Sequence, residues 1–323
     1  MPNRCPISFQ ILPNKDDAFE GNREGVKYSS EGLRQLSSRL SDLLPFPYSA
    51  EEQRQEAALR MQKMSIQGVQ PKLSARLNIA QKTFELMDTS GTFILKPQHN
   101  IFTQLPENEA LTMRLAQVAA IEVPLHGMVY SQDDSLTYFI QRFDRRAKDK
   151  KWAVEDFAQL LGFSRETKYQ SSMEQCVDVI NSFCSFPIIE KKEFFKRLIF
   201  NFLVGNEDAH LKNFSVISRN GKIELSPAYD LVNTTILLRG SNIEEIALPV
   251  AGKKRKLNHT ILIDYFGKER LQLNEMTIQS VLKNFNHALP NWQNLIKTSF
   301  LNEDLKKKYL LLVEKRMKIL ENL

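Results

Sequence analysis

The sequence predicts an α+β chain in two parts, an antiparallel sheet with one inserted helix followed by a largely helical half. Three observations carry this reading. Between Leu73 and Ile140 there are five short strand-like runs, the first alternating apolar and polar residues. Between the third and fourth runs, Leu111, Leu115 and Val118 recur at helical spacing. Beyond Arg145 the apolar period lengthens to three or four residues, most clearly in Phe194, Phe195, Leu198, Ile199, Phe202 and Leu203.

The elements follow in order. Residues 1 to about 64 form a mixed leader, in which Pro45-Phe46-Pro47 reads as a turn and Glu51–Met61 is built from strong helix formers. Leu73, Ala75, Leu77 and Ile79 alternate with Ser74, Arg76 and Asn78, the period of a half-buried strand. A second strand is expected over Thr83–Met87 and a third over Thr92–Lys96, stopped by Pro97. The helix around Leu111 has Glu107 and Glu109 near its start, where the helix dipole favours acids. Strands over Leu125–Tyr130 and Leu136–Ile140 flank the polar turn Ser131-Gln132-Asp133-Asp134. Gly205 sits where the long apolar helix would end. A polar loop, Asn206 to Asn213, precedes a strand over Phe214–Ile217, and Asn220-Gly221 signals a hairpin into Lys222–Leu225. Two or three helices are expected from Thr277 onward, the last over Leu305–Leu320. The expected division is residues 1–143 and 144–323.

Composition narrows the classes. Of 323 residues, 42% are hydrophobic and 25% charged, as in a globular chain. No apolar run approaches the roughly 18 residues of a spanning helix, and no signal-peptide core opens the chain, so a cytoplasmic protein without a membrane contact is expected. Cys5, Cys176 and Cys184 form no CxxC pair and argue against structural zinc. The net charge of +6 is compatible with an anionic ligand without diagnosing one. The basic run Lys253-Lys254-Arg255-Lys256 reads as a solvated loop, with a nucleic-acid contact as its alternative.

The chemistry concentrates in Asp208-Ala209-His210-Leu211-Lys212-Asn213. An Asp followed five residues later by an Asn, in a loop after an apolar helix, is the arrangement of a kinase catalytic loop, with the Asp orienting an acceptor hydroxyl and the Asn holding magnesium. Alone the spacing is weak and a capped polar loop would produce it. Past the hairpin, Ser226-Pro227-Ala228-Tyr229-Asp230 supplies a second acid at a strand end, and two oxygen ligands on either side of a hairpin suit magnesium. Lys96 lies on the third strand upstream of Glu107 and Glu109. It is either a surface lysine or, as its place in an apolar strand favours, one that neutralises nucleotide phosphates with one of these glutamates as its partner.

Several ordered blocks together resemble the HipA-type kinases: Ser65-Ile66-Gln67-Gly68-Val69-Gln70-Pro71-Lys72, Ile94-Leu95-Lys96-Pro97, Asn108-Glu109, Arg142-Phe143-Asp144-Arg145, Asn206 through Ser215, and Leu225 through Asp230. The resemblance implies a two-lobed protein-kinase-like fold. It also implies that Gln67, Gly68, Val69, Gln70, Pro71, Lys72, Lys96, Gln141, Arg142, Phe143, His210, Tyr229 and Asp230 would touch ATP. For His210, a purely structural hydrogen-bonding role stands as the alternative. By the same resemblance Asp208 would be catalytic, Asn213 and Asp230 would hold Mg2+, and Ser65 would be autophosphorylated. A phosphoserine there would add about −1.5 to −2 charge beside the phosphate site, a physical basis for self-inhibition.

Too few residues precede Ser65 for the whole of the extra subdomain of full-length HipA-like proteins, although the leader has room for part of it, and this shortening resembles the HipT branch. That resemblance implies a HipS-like small protein and a HipB-like DNA-binding antitoxin as partners, DNA contact only through the latter, and an aminoacyl-tRNA synthetase as substrate. The competing readings are a small-molecule or lipid kinase on the same scaffold, and a non-catalytic pseudokinase that binds partners or DNA. The presence of Lys96, Asp208, Asn213 and Asp230 argues against the last.

Overall fold

The computed structural model describes residues 4–13, 26–60, 70–146, 150–238 and 243–320. The chain divides into two compact units. The first comprises Met1–Ala110, Pro124–Arg142 and Thr298–Leu301, the second Leu111–Val123, Phe143–Lys297 and Asn302–Leu323.

The first unit opens with α1 (Ser30–Leu36) and α2 (Ala50–Arg60). Ser29 caps α1 through the Gly32 N–H at 3.0 Å. Ser49 and Glu52 exchange hydrogen bonds at the start of α2, each satisfying a backbone donor that the first helical turn leaves open. The leader is part of the fold rather than an appendage. Cys5 and Ile7 are buried, Phe9 meets the Phe300 ring edge-on at 5.7 Å, and Met128 donates to the Pro6 carbonyl at 3.1 Å.

The strands are β1 (Leu73–Asn78), β2 (Thr83–Leu86), β3 (Phe93–Lys96), β4 (His126–Tyr130) and β5 (Leu136–Gln141), with α3 (Leu105–Val118) inserted after β3. They form one antiparallel sheet in the order β2-β1-β3-β5-β4. Phe84, Phe93 and Phe139 pack on one another with ring centroids 5.2 to 6.0 Å apart. The unit boundary falls within α3, between Ala110 and Leu111.

The second unit holds β6 (Ala153–Asp156), α4 (Phe157–Leu160), α5 (Met173–Phe183), α6 (Pro187–Val204), β7 (Ser215–Arg219), β8 (Lys222–Leu225), α7 (Glu275–Lys297) and α8 (Glu303–Leu320). A π-helical stretch, Thr260–Arg270, precedes α7. The β7–β8 hairpin expected from Asn220-Gly221 is present, both residues having positive φ (51° and 76°). It gains β6 as a third, antiparallel strand, which the sequence reading did not include. The core is aromatic: Phe157, Phe194 and Phe214 form one cluster, Phe200, Phe285 and Trp292 another. The Trp292 indole N–H donates to the Leu115 carbonyl at 2.9 Å, so this large ring is buried with its polar atom satisfied. The three cysteines are free and buried, behaving as small apolar side chains.

Helix α6 begins with Pro at its first turn and ends at Gly205 in the left-handed region (φ 76°). A Cβ at Gly205 would lie 2.6 Å from Leu312, 2.7 Å from Thr235 and 2.8 Å from Asn233, whereas one at Gly221, with the same φ, would meet nothing within 4 Å. Gly221→Ala should therefore lower the unfolding free energy by about 1–2 kcal/mol, the backbone cost alone. Gly205→Ala should lose that plus about 1–3 kcal/mol of overpacking. Urea unfolding of the two variants tests the difference; equal losses would mean that the surroundings of Gly205 relax without cost.

Glu107, in the first turn of α3, is buried and accepts from Gln98 Nε2 at 2.9 and 3.0 Å. Burial pushes its carboxyl up from 4.5 to about 7, against the opposing effect of Gln98. The folded chain thus retains a proton that the unfolded chain releases between about pH 4.5 and 7, and stability falls as pH rises through that window. Glu107→Gln should flatten this stretch of the stability–pH curve, as measured by denaturant midpoints at a series of pH values.

Candidate functional site

The residues singled out in the sequence fall into two groups, one in each unit. In the first unit β3 pairs with β5 so that Lys96 lies opposite Tyr138. This places the Lys96 ammonium 5.5 Å from the centre of the Tyr138 ring and 2.5 Å from Glu109 Oε1 on α3. Both side chains are almost wholly buried, at 2% and 0% exposure. The choice between Glu107 and Glu109 as partner is thereby decided, since Glu107 is engaged by Gln98 and Glu109 reaches the lysine. The surface-lysine alternative for Lys96 does not hold. An ion pair this deep carries a desolvation cost of several kcal/mol per ion in general, so pure stability does not explain it.

Of the segment resembling a phosphate-covering loop, Ser65, Gln67, Gly68 and Val69 lie outside the described residues. Gln70, Pro71 and Lys72 are half-buried just ahead of β1. The Gln70 amide nitrogen is buried without a hydrogen-bond partner, a donor suited to an acceptor the protein does not provide. Gln141 is exposed at the end of β5, and the Arg142 N–H donates to the Thr92 carbonyl at 2.8 Å.

In the second unit the polar loop leaves Gly205 through a series of local hydrogen bonds. Asn206 is buried and bonds Asn201 through both its backbone and its side chain, while its Oδ1 accepts from the Asp208 N–H at 3.2 Å. Ala209, His210 and Leu211 are all buried. Leu211–Asn213 closes as a single 3-10 turn. Asn213 Oδ1 accepts from the His210 N–H at 3.2 Å, and Asn213 Nδ2 donates to Asp230 Oδ2 at 3.5 Å.

Asp230 has a left-handed backbone (φ 54°), an uncommon conformation that Asp tolerates better than most residues. Beside it, the Tyr229 hydroxyl donates to the Lys212 carbonyl at 2.9 Å and lies 3.1 Å from Ser215 Oγ, while its ring packs on Phe143 at 5.5 Å. Lys212 itself points to Asp156, 2.7 Å away, at the N-cap of α4.

Sequence reasoning missed Lys168 and Tyr169, in the loop between α4 and α5. The Tyr169 hydroxyl donates to Asp208 Oδ1, and its ring meets the His210 ring edge-on at 5.0 Å. Lys168 Nζ lies 2.7 Å from His210 Nε2. Burial, more than any neighbouring charge, depresses the His210 imidazole to about 4, while burial and the Asp208 contact push the Tyr169 hydroxyl up. His210 Nδ1 is buried and has no hydrogen-bond partner. No spacing rule in Ser164–Ser171, a run of polar residues, distinguishes these two residues from ordinary loop side chains.

The donor set fits a magnesium ion better than a softer metal. Among the described residues no three His, Cys, Asp or Glu side chains converge. A carboxylate at Asp230 and an amide oxygen at Asn213, which keeps a lone pair beside the one facing His210, are the few hard oxygen ligands magnesium takes from proteins.

Comparison with known proteins identifies the family and the fold. A protein of Haemophilus influenzae, named only as a candidate kinase, is 30% identical over 264 residues, covering 78% of this chain and 74% of its own. A protein of Shewanella oneidensis named serine/threonine-protein kinase toxin HipA is 31% identical over 191 residues, covering 53% of this chain and 43% of its own length. A solved complex of Shewanella oneidensis HipA with HipB and operator DNA contains a chain similar in fold. Its TM-score is 0.66 at 24% identity, covering 87% of this chain and 75% of that one. The fold is therefore the kinase-like HipA fold, with an antiparallel sheet in one unit and a mostly helical other unit. Residues 64–292 match the HipA-like C-terminal domain, and the chain belongs to that family.

Proposed function

We propose that this chain is a serine/threonine protein kinase that uses ATP and Mg2+ and acts as the toxin of a toxin–antitoxin system. The observation that carries the reading is the meeting of Asn213 with Asp230, five residues after an Asp208 carboxylate already engaged by a hydroxyl. The buried Lys96–Glu109 pair supports it, since a lysine held by a carboxylate in this way is the phosphate-binding device of kinases.

In this reading residues 1–143 and 144–323 serve as the two lobes. Gln67 to Lys72, Lys96, Gln141 to Phe143, His210, Tyr229 and Asp230 bind the nucleotide. Asp208 orients an acceptor hydroxyl whose oxygen attacks the γ-phosphorus. The bond from that phosphorus to the bridging oxygen breaks, ADP departs, and the hydroxyl proton passes to the Asp208 carboxylate. Magnesium, when bound by Asn213 and Asp230, would neutralise charge on the phosphate oxygens.

The proposed acceptors are a serine of an aminoacyl-tRNA synthetase and, in cis or trans, Ser65. The proposed partners are a HipB-like DNA-binding antitoxin and a HipS-like small protein, in a cytoplasmic setting. Support for the first partner comes from the Shewanella complex, in which HipA is assembled with HipB and operator DNA. No helix among the described residues is long and apolar enough to cross a membrane.

Incubation with labelled ATP and magnesium, alone and with a panel of synthetases and small acceptors, tests the reading. Label on Ser65 and on one synthetase supports it; label only on small acceptors replaces it with a small-molecule kinase. Asp208→Asn should reduce transfer by about 10²- to 10⁴-fold without shifting the melting temperature. Lys96→Met should abolish transfer and destabilise the fold by about 3–5 kcal/mol, because Glu109 is left charged and buried. Adding Glu109→Leu should restore most of that stability and none of the activity, as read by melting and by label incorporation on the same samples.

A further inference from the structure

The contacts of Lys168 and Tyr169 assign these two residues a task that rests on the kinase reading and extends it. Consecutive in sequence, they touch two different functional side chains of the polar loop: Lys168 Nζ is 2.7 Å from His210 Nε2, and the Tyr169 hydroxyl donates to Asp208 Oδ1. The Lys168 carbonyl also accepts from the Leu211 N–H at 3.4 Å, tying the dipeptide to the same turn through the backbone.

An ammonium has only donors to offer. Its contact with Nε2 makes that nitrogen the acceptor and puts the imidazole proton on Nδ1. That nitrogen is buried and has no hydrogen-bond partner, although it stands in the turn between Asp208 and Asn213. A buried N–H without a protein acceptor calls for one from outside, and in this turn the fitting acceptor is a phosphate oxygen.

We propose that Lys168 and Tyr169 are positioning residues for phosphoryl transfer. Lys168 fixes His210 as the Nδ1–H tautomer, aimed at a nucleotide phosphate oxygen, and Tyr169 holds the Asp208 carboxylate in the orientation that receives the acceptor hydroxyl. Their effect is exerted through His210 and Asp208, and neither exchanges a proton or an electron pair with the substrate. The Tyr169 hydroxyl donates to one oxygen of the Asp208 carboxylate and so restrains the plane of that group.

The test combines tautomer and kinetics on the full chain. Nitrogen-15 imidazole spectra, with His210 assigned by the signals lost in His210→Gln, should show Nδ1 protonated and Nε2 bare in the wild type. In Lys168→Met the proton should shift toward Nε2. With ATP varied, Lys168→Met should lower kcat by about a hundredfold with KM for ATP changed less than about threefold, the signature of an interaction made only in the transition state. Tyr169→Phe, which removes a single oxygen from a residue 39% exposed, should lower kcat by about tenfold with the melting temperature unchanged.

An Nε2-protonated His210 in the wild type overturns the proposal. So do two variants with wild-type kcat, or labelled phosphate on Tyr169, which would make it an acceptor instead. A wild-type chain active on protein acceptors with unaffected variants sinks this inference alone, whereas a wild-type chain with no transfer under any condition sinks the kinase reading as well.

Discussion

The site in the second unit depends on one backbone carbonyl. Helix α6 is buried on nearly every side, and its chain must leave that environment and become a polar loop within a single residue. Gly205 makes this possible by turning left-handed, and its carbonyl then accepts from the Thr235 N–H and from the hydroxyls of Thr234 and Thr235, each at 3.1 Å. Those threonines lie shortly beyond Asp230. The exit of the helix and the segment carrying the second acid are therefore fastened to the same oxygen, and Asn213 and Asp230 meet because both of their chain segments are anchored there. A side chain at position 205 would displace the atoms that make the fastening.

The two units handle charge in opposite ways. Lys96 and Glu109 are removed from water altogether and satisfy each other at short range, so each fixes the other's position and neither can be removed alone without exposing a buried charge. The loop of the second unit instead relies on neutral groups. Backbone N–H donors, the Asn206 and Asn213 amides and the Tyr229 hydroxyl shape it, and the Tyr169 hydroxyl donates to the Asp208 carboxylate.

Much of the fold was legible because the relevant signals are local. Alternation at Leu73 to Ile79, the Asn220-Gly221 turn and the glycine after a long apolar helix each report on a few residues' own backbone preferences, and each has its counterpart in the structure. What stayed illegible is set by distant partners. Strand β6 is four residues long, too short for alternation to register, and exists because β7 offers it an edge. Helix α5 is amphipathic and local in its signal, whereas Lys168 and Tyr169 have no pattern at all, since their meaning comes from side chains about forty positions away. Glu107 and Glu109 were indistinguishable in sequence because both stand at the start of one helix. Only the course of β3 beside that helix separates the glutamate facing a lysine from the one facing Gln98.

The hairpin between Asn213 and Asp230 also bears on how the molecule comes to be folded. These two residues are only 17 positions apart, and the tight turn at Asn220-Gly221 brings the two ends of that interval back toward each other. Loop-closure entropy for so short a span is small, and hairpins of this kind assemble on the microsecond scale, about 1–10 μs. Lys96 and Glu109 are closer still in sequence, at 13 positions. Each half of the chemistry thus joins residues close in sequence, where little loop-closure entropy is lost, whereas α7 is tied to the chain over a long range, as in the Trp292–Leu115 hydrogen bond.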